Sequence, residues 1–390
     1  SKKGLPHPAG FMSGWLSWFG HTVACSFYSL GFGYALVAVL GYYQIGFFGL
    51  SDSILVKIFA VIAVAFFLGI NYVGVGATGR TGSTVTLAQV SIIAFFILCA
   101  TMYALGTKGV DFLDSVGPLL PEGKELSDVF MVMAFTIIAF EGYEIIVQCG
   151  EEVKNPRKNI PRAIFISIAV AVALYFFVAL VCLTNSTPFA IWHEGADLVF
   201  TTAKNTVPIL GAPLVMLGGI LSAMAALNAT VFSSSRVSFA MGRDGSLPRV
   251  FGKIHGVRRI PHQAILITGA IMLAMLLFPL DVVVASTSVV FLLLFTLANM
   301  ASIRLIPRLT AIDVGFRTPL FPLFPVIGIL SKLALALSLW WFIPEAWYIA
   351  IVWIAIGFFV SAFARPEEEF VSITRQRRVP RKPLTKEEIE

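Results

Sequence analysis

Long runs of apolar residues, separated by short polar segments, repeat along the whole 390-residue chain. Most of these runs are long enough for a helix to cross the hydrocarbon core of a bilayer, which is about 30 Å thick. The pattern predicts about ten spanning helices. They are expected at residues 11–40, 53–73, 82–105, 127–149, 161–184, 207–240, 263–280, 283–305, 322–342 and 345–364.

The composition agrees with an all-α integral membrane protein. Hydrophobic residues make up 57% of the chain and charged residues 13%, and the mean hydropathy is +0.86. A soluble domain has about 25% charged residues, so roughly half of the usual charge is missing here. We therefore predict one transmembrane domain over residues 1–365 and a polar, cytoplasmic C-terminal tail over residues 366–390.

The basic residues predict the orientation in the membrane. Of the 28 Lys and Arg residues, all but five fall on the side of the N-terminus in the predicted topology; the five are Lys57, Lys108, Lys124, Lys204 and Lys332. Because short cytoplasmic loops are enriched in Lys and Arg, both termini are expected in the cytoplasm, with the cell membrane as the default location. The net charge of +6 is explained by this topology and gives no indication of nucleic-acid binding.

The most informative segment is FEGYE, from Phe140 to Glu144, inside the fourth predicted span. An ionisable residue at the centre of a spanning helix costs about 2.5–3.5 kcal/mol on insertion scales, so such residues are usually functional. Gly142 lies between the carboxylates of Glu141 and Glu144, where a helix can open and expose its backbone carbonyls. Secondary transporters form substrate sites from broken helices of this kind near the middle of the membrane.

Motifs that would indicate an enzyme or a bound cofactor do not fit their context. Gly74, Gly76 and Gly79 form a GxGxxG pattern, but this pattern follows an apolar span and no acidic residue lies at the spacing that a ribose contact needs. The four cysteines contain no CxxC pair, and the five histidines are scattered. We predict no enzymatic activity, no metal site and no organic cofactor.

Three polar blocks carry a family resemblance. They are EEVKNPRKNIPRAI from Glu151 to Ile164, the Asn228–Pro261 block that contains AMGRDGSLPRV, and Ile303–Pro325 with RLIPRL and RTPLFPLFP. In this order they resemble three loops of the amino acid–polyamine–organocation permeases. The resemblance implies a leucine-transporter-type bundle, in which two inverted five-helix repeats are followed by two peripheral helices.

The same resemblance assigns the first span here to the third helix of that family, because GLPHPAGFMSGWLSW is similar to the start of that helix. The ten spans would then be equivalent to family helices three to twelve. The family's first two helices, which include a glycine-rich break that binds a substrate carboxylate, have no counterpart in these residues. We expect a chain that carries half of a binding site and does not transport alone.

The resemblance also implies roles for the residues of the break. Phe140, Glu141, Gly142 and Tyr143 are expected to contact substrate, with Glu141 facing its ammonium group or carrying a proton. Glu144 matches an acidic residue usual after the break and is expected to be gating or proton-linked. The alternatives are a structural pairing role for Glu141 and a backbone-bonded carboxylate for Glu144.

Two further polar positions lie in other spans. Ser233 and Ser234 resemble a hydroxyl pair that supplies oxygen ligands to sodium in relatives of this fold, although serine in a spanning helix usually bonds a carbonyl one turn back. His21, in the first span, is interpreted as a packed core histidine in preference to a proton relay.

These features together indicate a secondary active transporter of amino acids or related organic amines. It would work by alternating access and couple to Na⁺ or H⁺, with a small molecule and the lipid bilayer as its partners. The alternatives are a polyamine or other cationic-amine carrier, and a transport-inactive membrane scaffold or sensor. The substrate, the coupling ion and the oligomeric state stay open at this point.

Overall fold

The computed structural model describes residues 5–46, 49–73, 79–116, 123–148, 153–187, 191, 197–256, 258, 260–308, 316 and 318–363. Within these ranges every regular element is helical, which confirms the all-α prediction. The predicted tail at residues 366–390 lies outside the described residues. So do Gly74 and Gly76 of the glycine pattern, and Glu151 at the start of the first family-like block.

Twelve α-helices follow one another along the described chain, with three short 3₁₀ segments between them. The α-helices are α1 Ala9–Tyr42, α2 Asp52–Val73, α3 Gly79–Lys108, α4 Leu126–Phe135, α5 Tyr143–Gln148, α6 Pro156–Asn185, α7 Leu198–Thr206, α8 Gly211–Arg243, α9 His262–Met275, α10 Leu280–Leu305, α11 Leu323–Phe342 and α12 Pro344–Phe363. The 3₁₀ segments are Gly109–Val116, Thr136–Phe140 and Ile306–Arg308.

Nine segments within the described residues are long and apolar enough to cross a membrane. Seven of them are single long helices, Ser83–Asp114 continues from α3 into a 3₁₀ segment, and Leu126–Val147 is the interrupted run. The protein is therefore an integral membrane protein, as predicted.

The seventh predicted span, residues 263–280, is shorter than expected. Its helix, α9, ends at Met275 after 14 residues, and such a helix is only about 21 Å long. Pro279 is in extended backbone conformation and immediately precedes α10. Because proline lacks an N–H group and disfavours helical backbone at the residue before it, the apolar run is divided between two helices.

Helix α10 lies at the centre of the bundle. In its apolar window 72% of the residues are buried, whereas the corresponding value for α6 is 6%. Helix α1 packs along α8, α2 and α10, and also contacts α9 and α12. The apolar residues that remain exposed on α6, such as Phe165 and Phe176, form a surface suited to lipid.

Aromatic stacking fastens α12 to the first half of α1. The Trp353 ring stacks on Trp15 and on Phe19, with ring centroids 4.4 and 4.2 Å apart. The Trp15 indole N–H donates to the carbonyl of Trp353 (2.9 Å), so its polar atom is satisfied inside the bundle. This contact holds one face of α1 and leaves the His21 region of the helix directed towards the broken segment.

Candidate functional site

The fourth span is broken where the sequence predicted an opening. Helix α4 ends at Phe135, a 3₁₀ segment continues to Phe140, and Glu141 is extended (φ −67°, ψ 154°). Gly142 has φ +113°, a backbone conformation that residues with a Cβ rarely adopt. Helix α5 then restarts at Tyr143, so the glycine supplies the turn between the two halves of the span.

Hydrogen bonds from three elements fix the broken segment. The Glu141 N–H donates to the Ile138 carbonyl (3.1 Å) on one side, and the Ile145 N–H donates to the Gly142 carbonyl (3.1 Å) on the other. The Ser288 hydroxyl of α10 donates to the Phe135 carbonyl (3.0 Å), at the end of α4. The break is therefore a defined conformation supported by the central helix.

The Glu144 carboxylate has two partners. Its Oε2 accepts a hydrogen bond from the Gly142 N–H (2.9 Å), which satisfies a backbone donor at the start of α5. Its Oε1 lies 3.3 Å from Nε2 of His21, which is fully buried on α1. The backbone bond agrees with the structural alternative for Glu144, and the histidine contact adds a partner that can carry a proton.

His21 belongs to the site, which the sequence interpretation as a packed core residue did not anticipate. Its Nδ1 lies 2.6 Å from the Ser17 carbonyl, and its ring meets Phe291 of α10 edge-on at 5.3 Å. The residue is packed, as expected, but it also faces Glu144. An ionisable residue within a span was the available signal; its partner on a distant helix was not visible in the sequence.

Glu141 occupies the other side of the same group. Both of its carboxylate oxygens are buried, and neither has a hydrogen-bond partner within the described part of the chain. His21, Glu141 and Glu144 each present one polar atom within 4.8 Å of the other two. Because an unpaired buried carboxylate is costly, this arrangement is suited to a positively charged group.

The aromatic residues of the break are held by neighbouring rings. Phe140 packs edge-on against Tyr175 of α6 with centroids 5.3 Å apart, and Tyr143 stacks on Phe295 of α10 at 5.6 Å. The hydroxyl of Tyr175 also donates to the carbonyl of Ala139, just before the break. The two predicted contact residues thus anchor the break to α6 and α10 in this conformation.

The serine pair lies on α8, buried in the bundle. Ser233 and Ser234 are 3% and 0% exposed, and the Ser234 hydroxyl donates to the Val231 carbonyl (3.2 Å), as in the structural alternative. Ser234 also contacts the thiol of Cys25, which lies one helical turn after His21. The structure therefore brings Ser234 near the carboxylate group, and sodium binding stays a prediction.

The fold and this site define a class of protein: a helical integral membrane protein with a broken span and buried carboxylates at the break. The family model described as amino acid permease matches residues 1–366. The chain belongs to the amino acid permease family, a family of membrane transporters with the amino acid–polyamine–organocation architecture. The resemblance drawn from the three polar blocks is thereby confirmed.

Several curated proteins of Bacillus subtilis are similar to the chain. A methylthioribose transporter is 29% identical over 73% of this chain and 59% of its own length. The branched-chain amino acid permease BcaP is 28% identical, with 76% and 61% covered. The serine/threonine exchanger SteT is 26% identical, with 82% and 70% covered. The chain thus spans about three fifths of the length of the first two of these relatives.

Proposed function

We propose that the protein is a secondary active transporter of amino acids that works by alternating access around the α4–α5 break. The observation that carries this proposal is the buried carboxylate of Glu141, which has no partner in the described chain and adjoins opened backbone. An α-ammonium group would satisfy that carboxylate. Membership of the amino acid permease family supports the same function.

The site favours a substrate with one ammonium group. Glu144 is already engaged by His21 and by the Gly142 N–H, so Glu141 is the carboxylate left to meet a cation. A zwitterionic amino acid with an uncharged side chain fits this arrangement. A polyamine would bring several ammonium groups to a single available carboxylate, which makes the cationic-amine carrier the second candidate.

The relatives support this order of candidates. Two of them are named for branched-chain amino acids and for serine and threonine, which are substrates with uncharged side chains. For this chain we propose only the same chemical class of substrate, amino acids with uncharged side chains. The enrichment of Lys and Arg in alternate loops supports cytoplasmic termini and a cell-membrane location. Coupling to H⁺ or Na⁺ would supply the driving force.

Counterflow in proteoliposomes tests the proposed function. The protein expressed from its complete gene is reconstituted in vesicles loaded with one unlabelled amino acid, and uptake of the labelled amino acid is measured against protein-free vesicles. We expect saturable counterflow for neutral amino acids and much weaker counterflow for putrescine or spermidine. Strong polyamine counterflow would favour the second candidate. Well-folded protein without counterflow for any of these compounds would favour the scaffold alternative.

A further inference from the structure

The contact between α1 and the broken span brings together two ionisable side chains, His21 and Glu144. We propose that His21 and Glu144 together hold one exchangeable proton and that this pair is the proton-coupling site of the carrier. The inference rests on the proposed transport function and assigns the coupling ion and the residues that carry it. Glu141 is left in this scheme for the substrate's ammonium group.

The proton follows from the hydrogen-bonding roles of the imidazole. A carbonyl oxygen can only accept a hydrogen bond, so Nδ1 of His21, 2.6 Å from the Ser17 carbonyl, carries a hydrogen. In a neutral ring Nε2 would then be a bare acceptor. It lies 3.3 Å from Oε1 of Glu144, which is also an acceptor when the carboxylate is ionised. Two facing lone pairs repel each other in a buried site, whereas one proton on either atom makes the contact attractive.

The charge of the surrounding group favours the same proton. With both carboxylates ionised and the histidine neutral, three side chains within 4.8 Å of one another carry two negative charges. One proton on the His21–Glu144 pair removes one of them, and a substrate ammonium at Glu141 removes the other. Loading with one proton and one amino acid therefore leaves these three side chains and the bound ammonium without net charge, the cheapest state in a low-dielectric interior.

The described neighbours of the pair are acids and apolar rings. The titratable residues that interact with Glu144 in the described chain include Tyr28 on α1, and Glu141 and Tyr143 at the break. These are acids that are neutral or negative at neutral pH. Helix α10 presents the ring of Phe291 at this point, and α8 presents the Ser234 hydroxyl beside Cys25. Within the described residues around the pair, positive charge is thus best supplied by a proton.

The pair joins two groups of helices, which links the proton to conformation. His21 is on α1, which packs along α8, α2 and α10, whereas Glu144 is on α5, which packs against α6. A movement of the broken span relative to α1 would separate His21 from Glu144. When His21 and Glu144 are apart, they no longer stabilise the proton together. The conformations with the pair together and apart therefore bind the proton with different affinity, and coupling requires this difference.

A cleft leads towards the pair from the end of α1 at which the chain begins. It has a volume of about 280 Å³ and lies between α1, the end of α8 and α10. Its lining includes Ser13, Ser17, Asp244 and Ser246. Ser17 is the residue whose carbonyl binds His21, so the cleft reaches to one helical turn from the imidazole. Its hydroxyl and carboxylate groups can order the water that carries a proton over that distance.

Proton movement and substrate exchange are measured together to test the pair. Vesicles that contain a pH-sensitive dye report H⁺ uptake when an amino acid is added outside, while counterflow at equal pH reports exchange. We expect one proton to enter with each substrate molecule in the unmodified protein. His21→Gln and Glu144→Gln should both reduce substrate-linked H⁺ uptake at least tenfold and flatten the pH dependence of uptake. Both substitutions should lower counterflow much less than they lower H⁺ uptake. The double variant should lose little more H⁺ uptake than either single variant.

His7→Gln is the matched control, because His7 is an exposed histidine near the N-terminal end of α1. It should keep the H⁺ uptake of the unmodified protein. The proposal is overturned if His21→Gln, folded and active in counterflow, moves protons as the unmodified protein does. It is also overturned if unmodified protein requires Na⁺ and moves no protons. If the unmodified protein shows no counterflow, the result counts against the transport function. The proton on the His21–Glu144 pair is then tested by thermal unfolding.

Thermal unfolding tests the proton without transport. The proposal requires the folded pair to hold a proton that the unfolded chain releases. A folded state that binds more protons than the unfolded state loses stability as the pH rises. We expect His21→Gln to make this fall shallower, and His7→Gln to leave it unchanged. Equal slopes for all three proteins would contradict the proposal.

Discussion

At the residue scale, Gly142 determines whether the broken span can form. Its φ of +113° lets Glu141 turn out of the 3₁₀ segment and lets its own N–H reach the Glu144 carboxylate at 2.9 Å. A Cβ at this position would have no atom of the described residues within 4 Å. Glycine is therefore required at position 142 by the backbone conformation and not by crowding from the described residues.

Gly142→Ala is expected to destabilise the protein through that strain. A residue held in a sparsely populated backbone region costs about 1–3 kcal/mol, so we expect a lower unfolding temperature and weaker substrate binding. Gly106→Ala is the control, because Gly106 lies within the helical backbone of α3 and a Cβ there would touch none of the residues that the structure describes. Unfolding temperature and substrate-induced thermal shift measure both effects. If Gly142→Ala behaved like Gly106→Ala in both assays, the glycine would not hold the break.

At the element scale, the close crossing of α1 and α2 depends on a second glycine. A Cβ on Gly33 would lie 2.3 Å from the Val56 carbonyl oxygen, which is backbone and cannot move aside as a side chain can. A Cβ on Gly31, half a turn earlier in α1, would have no atom of the described chain within 4 Å. Comparing substitutions at Gly33 and Gly31 therefore distinguishes the effect of packing from the effect of helix propensity.

Gly33→Ala should lower the free energy of unfolding, since overpacking in a tight contact typically costs about 1–3 kcal/mol. Gly31→Ala should be neutral or stabilising, because alanine in a helix is favoured over glycine by about 0.5–1 kcal/mol. Thermal unfolding in the same detergent compares the two variants. Equal effects of both substitutions would show that the α1–α2 contact tolerates a methyl group and would contradict the observed packing.

The spanning elements could largely be predicted from the sequence because helix length and apolar composition are local properties. The opening at Gly142 was visible for the same reason, since a glycine stands there between two carboxylates. The short α9 was missed because Pro279 interrupts an apolar run that hydropathy alone treats as continuous. The contact of His21 with Glu144 joins distant helices, and only tertiary packing brings those two side chains together.

At the scale of the whole molecule, the bundle buries the oxygens of one carboxylate, that of Glu141, without a hydrogen-bond partner among the described residues. Helices α1 and α10 form the packed interior, and the broken span meets them at His21 and Ser288. Glu144 contacts His21 at this point, whereas the buried carboxylate oxygens of Glu141 have no hydrogen-bond partner in the described chain. An unpaired buried carboxylate costs free energy, and the substrate's ammonium group is its proposed partner.

The most direct test of this assignment is the apparent KM of counterflow for Glu141→Gln, in protein expressed from the complete gene. A hydrogen bond to a charged group contributes about 1.5–3 kcal/mol, so we expect the KM for neutral amino acids to rise at least tenfold. Glu345→Gln, at an exposed glutamate at the start of α12, should keep the unmodified KM. Folding is checked by the unfolding temperature. A well-folded Glu141→Gln protein with unchanged KM would contradict the account, because the substrate would then be bound without Glu141.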